Sequence, residues 1–353
     1  MLRASLIVSL LPLLTGGFLA IACKSINSGK SSSHSTGILA PVRPVQLIPL
    51  AGKLAHSSAE ISGLAWYDDY LIILPQYPSR FASSGDGLIF AIAKQSIIAF
   101  LDGKSEAAIT AHEIPFVGQG IAQTIKGFQG YEAIAFLGNR AFLTIESQSG
   151  RSMFGYLVAG EIARDLSVLR LDPEKLQELP SQANISNMAD EALLAVDEKI
   201  VTMHEANGAI VNASPAAHLF TPALTPLGTI PFPTIEYRVT DATCPDSKGR
   251  FWVINYFFPG EGPELKPAPD PLAYEYGLSN IRVFYSGVER LVELQYSENG
   301  ITLAETTPVY LENSKHNRHR NWEGLVRLEN KGFLLMTDKF PNTLLGFVPW
   351  PPE

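Results

Sequence analysis

Apolar residues in this chain come in short runs of about five to seven, alternating or clustered, each broken by turn-forming residues. The run Trp322-Glu323-Gly324-Leu325-Val326 is followed by a turn at Asn330-Lys331-Gly332 and then by Phe333-Leu334-Leu335-Met336-Thr337-Asp338. This pattern predicts a strand, a tight turn and a second strand that ends in polar residues. Four earlier stretches carry the same pattern, at residues 60–76, 130–146, 190–205 and 240–255. Aligned, the copies yield two polar columns. Ser62, Glu132, Glu191, Asp241 and Glu323 form the first, each followed by Gly or Ala, and Gln76, Glu146, Glu205, Asn255 and Asp338 form the second. The columns lie 14 residues apart in four copies and 15 in the last, which marks a repeat architecture.

Further strands are expected at residues 153–158 and 167–171, at 218–221 and 227–231, and at 281–285 and 289–295. Residues 88–101 read as partly helical. The last copy stops after residues 343–348, one strand short, and residues 45–50 are the natural supplier of the missing strand. Copies of about 60 residues fit four antiparallel strands and a loop. The expected fold is all-β, a five-bladed β-propeller closed by this N-terminal strand. Six blades is the alternative, because the gaps from 62 to 132 and from 241 to 323 are long.

In a propeller the first strand of each blade lines the central channel. The first column should therefore ring the channel mouth, with the second column around it. Carboxylates converging without a cation repel one another. A hard divalent ion answers this, and oxygen donors favour Ca²⁺ over zinc. The alternative is that each acid bonds neighbouring backbone N–H groups around a hydrated channel.

The paired "Glu-Gly-hydrophobic … hydrophobic-Asp/Glu" pattern resembles the phytase-like (esterase-like activity of phytase) propellers of bacterial envelopes. The order Ser62, Glu132, Glu191, Asp241, Glu323 is also similar to the central calcium ring of the soluble calcium-activated nucleotidases, or apyrases. That resemblance implies a five-bladed fold and a calcium held by these five residues. In the nucleotidases an acidic, Arg-bearing turn after the first blade's second strand belongs to the substrate site. Here the turn is Gln76-Tyr77-Pro78-Ser79-Arg80, which keeps Arg80 and lacks the acids.

Other features fall on the same face. The basic loop Lys315-His316-Asn317-Arg318-His319-Arg320 precedes the last inner strand. This loop, with His316, Arg318, His319 and Arg320, is the candidate for holding a phosphate or carboxylate, and Arg80, Glu146 and Asn255 complete the expected substrate-binding set. His204-Glu205 and Asp338-Lys339 are pairs capable of acid–base catalysis. The Pro-rich insertion at residues 258–280 should lie over the mouth as a lid or partner loop.

The chain's start changes where this domain is expected to work. Arg3, an apolar run over residues 6–19 and Leu19-Ala20-Ile21-Ala22-Cys23 resemble a bacterial lipoprotein signal. The expected division is a signal peptide at 1–22, a Ser-rich tether at 23–40 with lipid on Cys23, and the propeller at 41–353. Ordinary secretion and a retained transmembrane anchor are the alternatives. The expected place is the bacterial cell envelope, on the periplasmic side or the cell surface, as a membrane-anchored monomer. A net charge of −8 argues against nucleic acid as a partner. Of the two cysteines, Cys244 would then have no partner and is expected to be a buried, inert thiol. Two functions stay open. One is a metal-dependent hydrolase of small anionic phosphorylated or ester substrates. The other is a non-catalytic propeller with a structural calcium that binds an envelope protein partner.

Overall fold

A computed structural model of the chain describes residues 40–57, 59–81, 85–276, 287–312, 319–339 and 341–350. All of these fall in one unit, Gly37–Glu353. The signal segment, Cys23 and nearly all of the tether lie outside the described residues, as do His316, Arg318 and the strand expected at 281–285.

The five copies become five inner strands: Ile61–Tyr67, Phe128–Leu137, Asp190–Val196, Arg238–Ala242 and Trp322–Leu328. Each pairs antiparallel with the strand that follows it. The inner strands also pack side by side in chain order, and the last returns to lie against the first. Antiparallel strands leading outward from such a closed cycle make an all-β, propeller-type arrangement.

The sheets are uneven. Two inner strands, Asp190–Val196 and Trp322–Leu328, each head a sheet of four. Apart from Ile109–Thr110, which pairs with Leu50–Ala51, the strands from Ile61 to Leu179 join into a sheet of eight, because Phe116 and Val117 pair in parallel with Leu169 and Arg170. The sheet headed by Arg238–Ala242 has six strands. Its third strand is Val288–Ser297 and its fourth Val309–Leu311, so the strand expected at 289–295 comes one place earlier in the sheet than the pattern suggested. Gln46–Ile48 pairs antiparallel with Leu345–Pro349, supplying the strand that the last copy lacks. Residues 88–101 divide into the strand Leu88–Ala93 and the helix Lys94–Leu101.

The apolar core lies between neighbouring sheets. Ile72 and Leu74 meet Ile134 and Leu143; Ala133 and Phe142 meet Leu193 and Ile200; Val201 and Met203 meet Val239 and Phe251. Trp252 and Ile254 meet Leu325 and Phe333, and Val326 and Leu334 meet Leu64 and Ile73. Strands buried on both faces explain why the runs read as continuous apolar blocks.

Every inner strand breaks register at its first-column residue. Ser62, Glu191 and Glu323 are each skipped by the pairing that resumes at Gly63, Ala192 and Gly324. Glu132 with Ala133, and Thr240 with Asp241, stand opposite single residues of their partner strands. These are β-bulges, which re-aim a side chain out of the normal alternation. The small residue after each column position has a packing cause where two inner strands approach closely. A Cβ on Gly63 would lie 3.1 Å from Ile134 N, and one on Gly324 would lie 2.6 Å from Leu64 Cγ.

Candidate functional site

At the mouth the bulges gather carboxyls around one guanidinium. Arg238, buried on the fourth inner strand, donates through Nε to Glu205 Oε1. Its Nη2 lies 3.2 Å from Glu323 Oε1 and 3.5 Å from Glu191 Oε2. Its Nη1 reaches Glu261 Oε1 at 3.2 Å and Asn321 Oδ1 at 3.3 Å. Burial opposes its charge, yet Glu191, Glu261 and Glu323 hold its pKa above the ordinary value.

The acids outnumber this cation. Burial, then the charges of Glu146 and Glu191, push Glu132 well up from the usual carboxyl range. Glu146 is pushed up to about 8 by burial and by Glu191, and Glu191 to about 7 by burial against the pull of Arg238. Glu323 is raised well above its ordinary value by burial and by Asp338. Near neutral pH this group holds protons as well as charge. Glu146 Oε1 and Glu205 Oε2 are buried without a hydrogen-bond partner among the described residues.

The two columns do meet here. Gln76 Nε2 donates to Glu132 Oε1 at 3.0 Å, and Asn321 Nδ2 bridges Glu323 at 2.6 Å and Asp338 at 3.4 Å. Two members of the expected calcium ring are engaged elsewhere. Ser62 Oγ donates to Tyr131 O at 2.5 Å. Asp241 accepts backbone N–H groups from Leu325 at 2.7 Å, Ala242 at 2.8 Å and Leu64 at 3.4 Å, joining three inner strands. No three of the described His, Cys, Asp or Glu side chains converge on a metal position. In this arrangement Ser62 and Asp241 of the expected calcium set are engaged by backbone groups, and the cation in contact with Glu191 and Glu323 is Arg238.

Other expected site residues also take different places. His204 is buried beside the cluster. Its Nδ1 accepts from Ala206 N at 3.0 Å, and burial lowers its pKa, because strand alternation sends Glu205 to the centre and His204 between sheets. Lys339 Nζ lies 3.4 Å from Glu60 Oε1, while its charge and backbone N–H oppose the rise that burial imposes on the Asp338 pKa. Arg80 also bonds Glu60 and stacks 4.2 Å from the Tyr77 ring centre. Asn255 is fully engaged: it donates to Glu236 O and Arg238 O, and accepts from Arg290 Nε at 2.7 Å. Arg320 directs its guanidinium at a carboxylate of the protein itself. It is buried, donates to Glu289 from N and Nε, and lies 5.1 Å from the Trp322 ring centre. His319 is half-buried against Phe258, and burial lowers its pKa. Cys244, expected to be buried, is exposed just beyond its inner strand.

The Pro-rich insertion is pinned at the mouth. Glu261 reaches Arg238, Ala268 N donates to Glu236 Oε2 at 3.0 Å, and Asp270 pairs with buried Arg290 at 2.6 Å. Its own Leu265, Leu272 and Ala273 are buried. Sequence reasoning missed Arg238, Glu261 and Asn321. The available signal was an arginine opening an inner strand whose other residues are apolar, Thr or column positions. Glu60 and Tyr237, each just before an inner strand, hold positive φ values of 50° and 76°. Such backbone is uncommon for these residue types and clusters at functional sites.

No family model and no curated protein matches the chain. Solved structures align along most of it. A GH43_1 enzyme from Xanthomonas citri, complexed with xylose, aligns with a TM-score of 0.47 at 9% identity, over 86% of this chain and 90% of that one. The catalytic domain of a GH62 α-L-arabinofuranosidase from Coprinopsis cinerea gives 0.46 at 7% identity, over 88% and 97%. A hypothetical protein from Leishmania major gives 0.43 at 10% identity, over 89% and 91%. Likeness this distant leaves the chemistry of those proteins with those proteins.

Proposed function

We propose that this chain is a five-bladed propeller that works as a hydrolase, with the carboxyl cluster around Arg238 as its acid–base machinery. One observation carries the reading: Glu146 and Glu191 are buried in one cluster, with Glu146 Oε1 lacking a hydrogen-bond partner among the described residues, and burial raises their pKa values to about 8 and about 7. Near neutrality such a pair supplies both a protonated acid and an ionised base. Glu146 would give its proton to the leaving oxygen while Glu191 takes one from the attacking water, so one C–O bond breaks as another forms. Arg238 and Glu205 would be positioning residues that hold Glu191 and Glu323. The five inner strands, each with its own bulge, support the blade count.

Uncharged esters suit this mouth better than phosphoesters. Among the described residues its basic side chains already meet carboxylates: Arg80 and Lys339 with Glu60, Arg238 with the cluster, and Arg320 with Glu289. The test is turnover of a panel of carboxylic and phosphate esters across pH, with Ca²⁺ or chelator present. The expected result is ester turnover that depends on two groups near neutrality and falls about 10²-fold or more in Glu146→Gln. Absence of turnover, or full activity in Glu146→Gln, would sink the reading. Turnover abolished by chelator and restored by Ca²⁺ would return the calcium expectation in place of Arg238. Lipid anchoring in the envelope stays a separate proposal, resting on Leu19-Ala20-Ile21-Ala22-Cys23. Cys23→Ser should release the protein from membranes, and retention there would mean an uncleaved anchor.

A further inference from the structure

Beside the mouth lies a cleft of about 90 Å³ walled by Tyr77, Phe116, Phe128 and Tyr131, with Asp86 and Gln123 at its edge. The rings form an edge-to-face chain: Tyr77 on Phe128 at 6.3 Å, Phe128 on Tyr131 at 5.2 Å, and Tyr131 on Phe116 at 5.1 Å. Tyr77 and Phe128 are only half-buried, so their surfaces remain available. Gly118 keeps the cleft open, since a Cβ there would lie 3.1 Å from the Tyr131 hydroxyl. Asp86 is exposed, accepts only the Gln119 N–H at 3.2 Å, and meets no basic side chain among the described residues.

The cleft is electrically continuous with the mouth. Tyr77 follows Gln76, which bonds Glu132. Ionisation of the Tyr77 hydroxyl is opposed first by burial and then by Glu132, is favoured by the Arg80 charge on the same ring, and is opposed again by Glu60 and Glu146. Aromatic faces flanked by carboxyls attract organic cations, through the ring quadrupole and through charge. The protein already does this internally, since the Arg80 guanidinium lies 4.2 Å from the Tyr77 ring centre.

We propose that this cleft is a binding site for a small organic cation, an amidinium, guanidinium or primary ammonium group carried on a compact body. The aromatic walls take the body, while exposed Asp86 at the edge takes the charge. Binding needs no turnover, so this site stands or falls independently of the hydrolase reading.

Three probes of nearly equal shape test it on the full chain: benzamidine (positive), benzamide (neutral) and benzoate (negative), titrated calorimetrically near neutral pH. Benzamidine should bind saturably and about tenfold or more tightly than benzamide, with benzoate weaker still. Tyr77→Leu and Asp86→Asn, both at solvent-accessible positions, should each weaken benzamidine several-fold, with melting unchanged. Equal binding of the three probes, preference for benzoate, or no binding of benzamidine would overturn the proposal. So would benzamidine affinity that neither substitution alters.

Discussion

The same five inner strands build both ends of the central channel, yet the two ends have opposite chemistry. At the mouth the strands carry Glu132, Glu191, Glu323 and Arg238, with Glu146 and Glu205 beside them. At the far end they contribute Leu64, Trp66, Ile134, Leu193 and Val326 to a mainly apolar cavity of about 50 Å³ that Cys244 and Arg327 also line. Register separates them. Past the bulge the ladder is regular and side chains alternate between the interfaces of neighbouring sheets, so the far end is filled like any core. At the bulge one residue per strand leaves that alternation and turns inward. Asp241 stands at the boundary, its carboxylate spent on three backbone N–H groups. A carboxylate at the mouth is thus a charge to be balanced, whereas at the boundary it is a stitch between strands.

Removing the balancing charge should break the contrast most severely. Arg238→Met leaves Glu191, Glu205 and Glu323 without their cation and should cost about 3–5 kcal/mol near neutral pH. The loss should shrink near pH 5, where the carboxyls take up protons. Urea unfolding at both pH values checks this, and an equal loss at both would mean that Arg238 acts through packing alone.

Cutting the stitch comes next. Asp241→Ala strips the acceptor from Leu64, Leu325 and Ala242 N–H and should cost about 3 kcal/mol. Hydrogen exchange should rise at those three amides, and protection equal to the parent's would contradict the assigned bonds.

A smaller effect sharpens the electrical side of the comparison. Raised carboxyl pKa values favour the folded state at low pH, because the unfolded chain ionises from about 4.5 while Glu191 and Glu146 hold their protons to about 7 and about 8. Stability should therefore fall as pH rises through that window, by up to about 1.4 kcal/mol per unit for each proton held. Glu146→Gln should recover about 4 kcal/mol of the loss between about pH 5 and about pH 9, the proton being held over about three of those units. Glu198→Gln, in an exposed turn, should recover none. Identical pH slopes for Glu146→Gln and the parent would remove Glu146 from the cluster.

The far end should barely respond. Cys244→Ser, at an exposed position, should change stability by less than about 0.5 kcal/mol. A larger loss would show that the apolar end depends on that thiol.

Strand pairs, the closing strand and the polar columns were legible in the sequence because each rests on local periodicity and turn chemistry. The bulges were legible only in outline, as an acid or Ser followed by Gly or Ala. Asp241 and Ser62 could not be told from their column mates, since their acceptor and donor bonds come from other strands far along the chain.

Two arginines mark the limit most sharply. Arg238 and Arg320 occupy the same repeat position, three residues before Asp241 and Glu323, and by sequence alone either could hold an anion at the mouth. Arg320 is taken by Glu289 on the neighbouring sheet and covered by Trp322. Arg238 instead meets Glu205 from its neighbouring sheet, with Glu191 and Glu323 from the flanking inner strands, and becomes the centre of the site. The repeat by itself determined that each side chain would start from the same point on its strand. Which carboxylate it then meets depends on the loops and partner strands of adjacent sheets, and a buried guanidinium goes where its charge is matched.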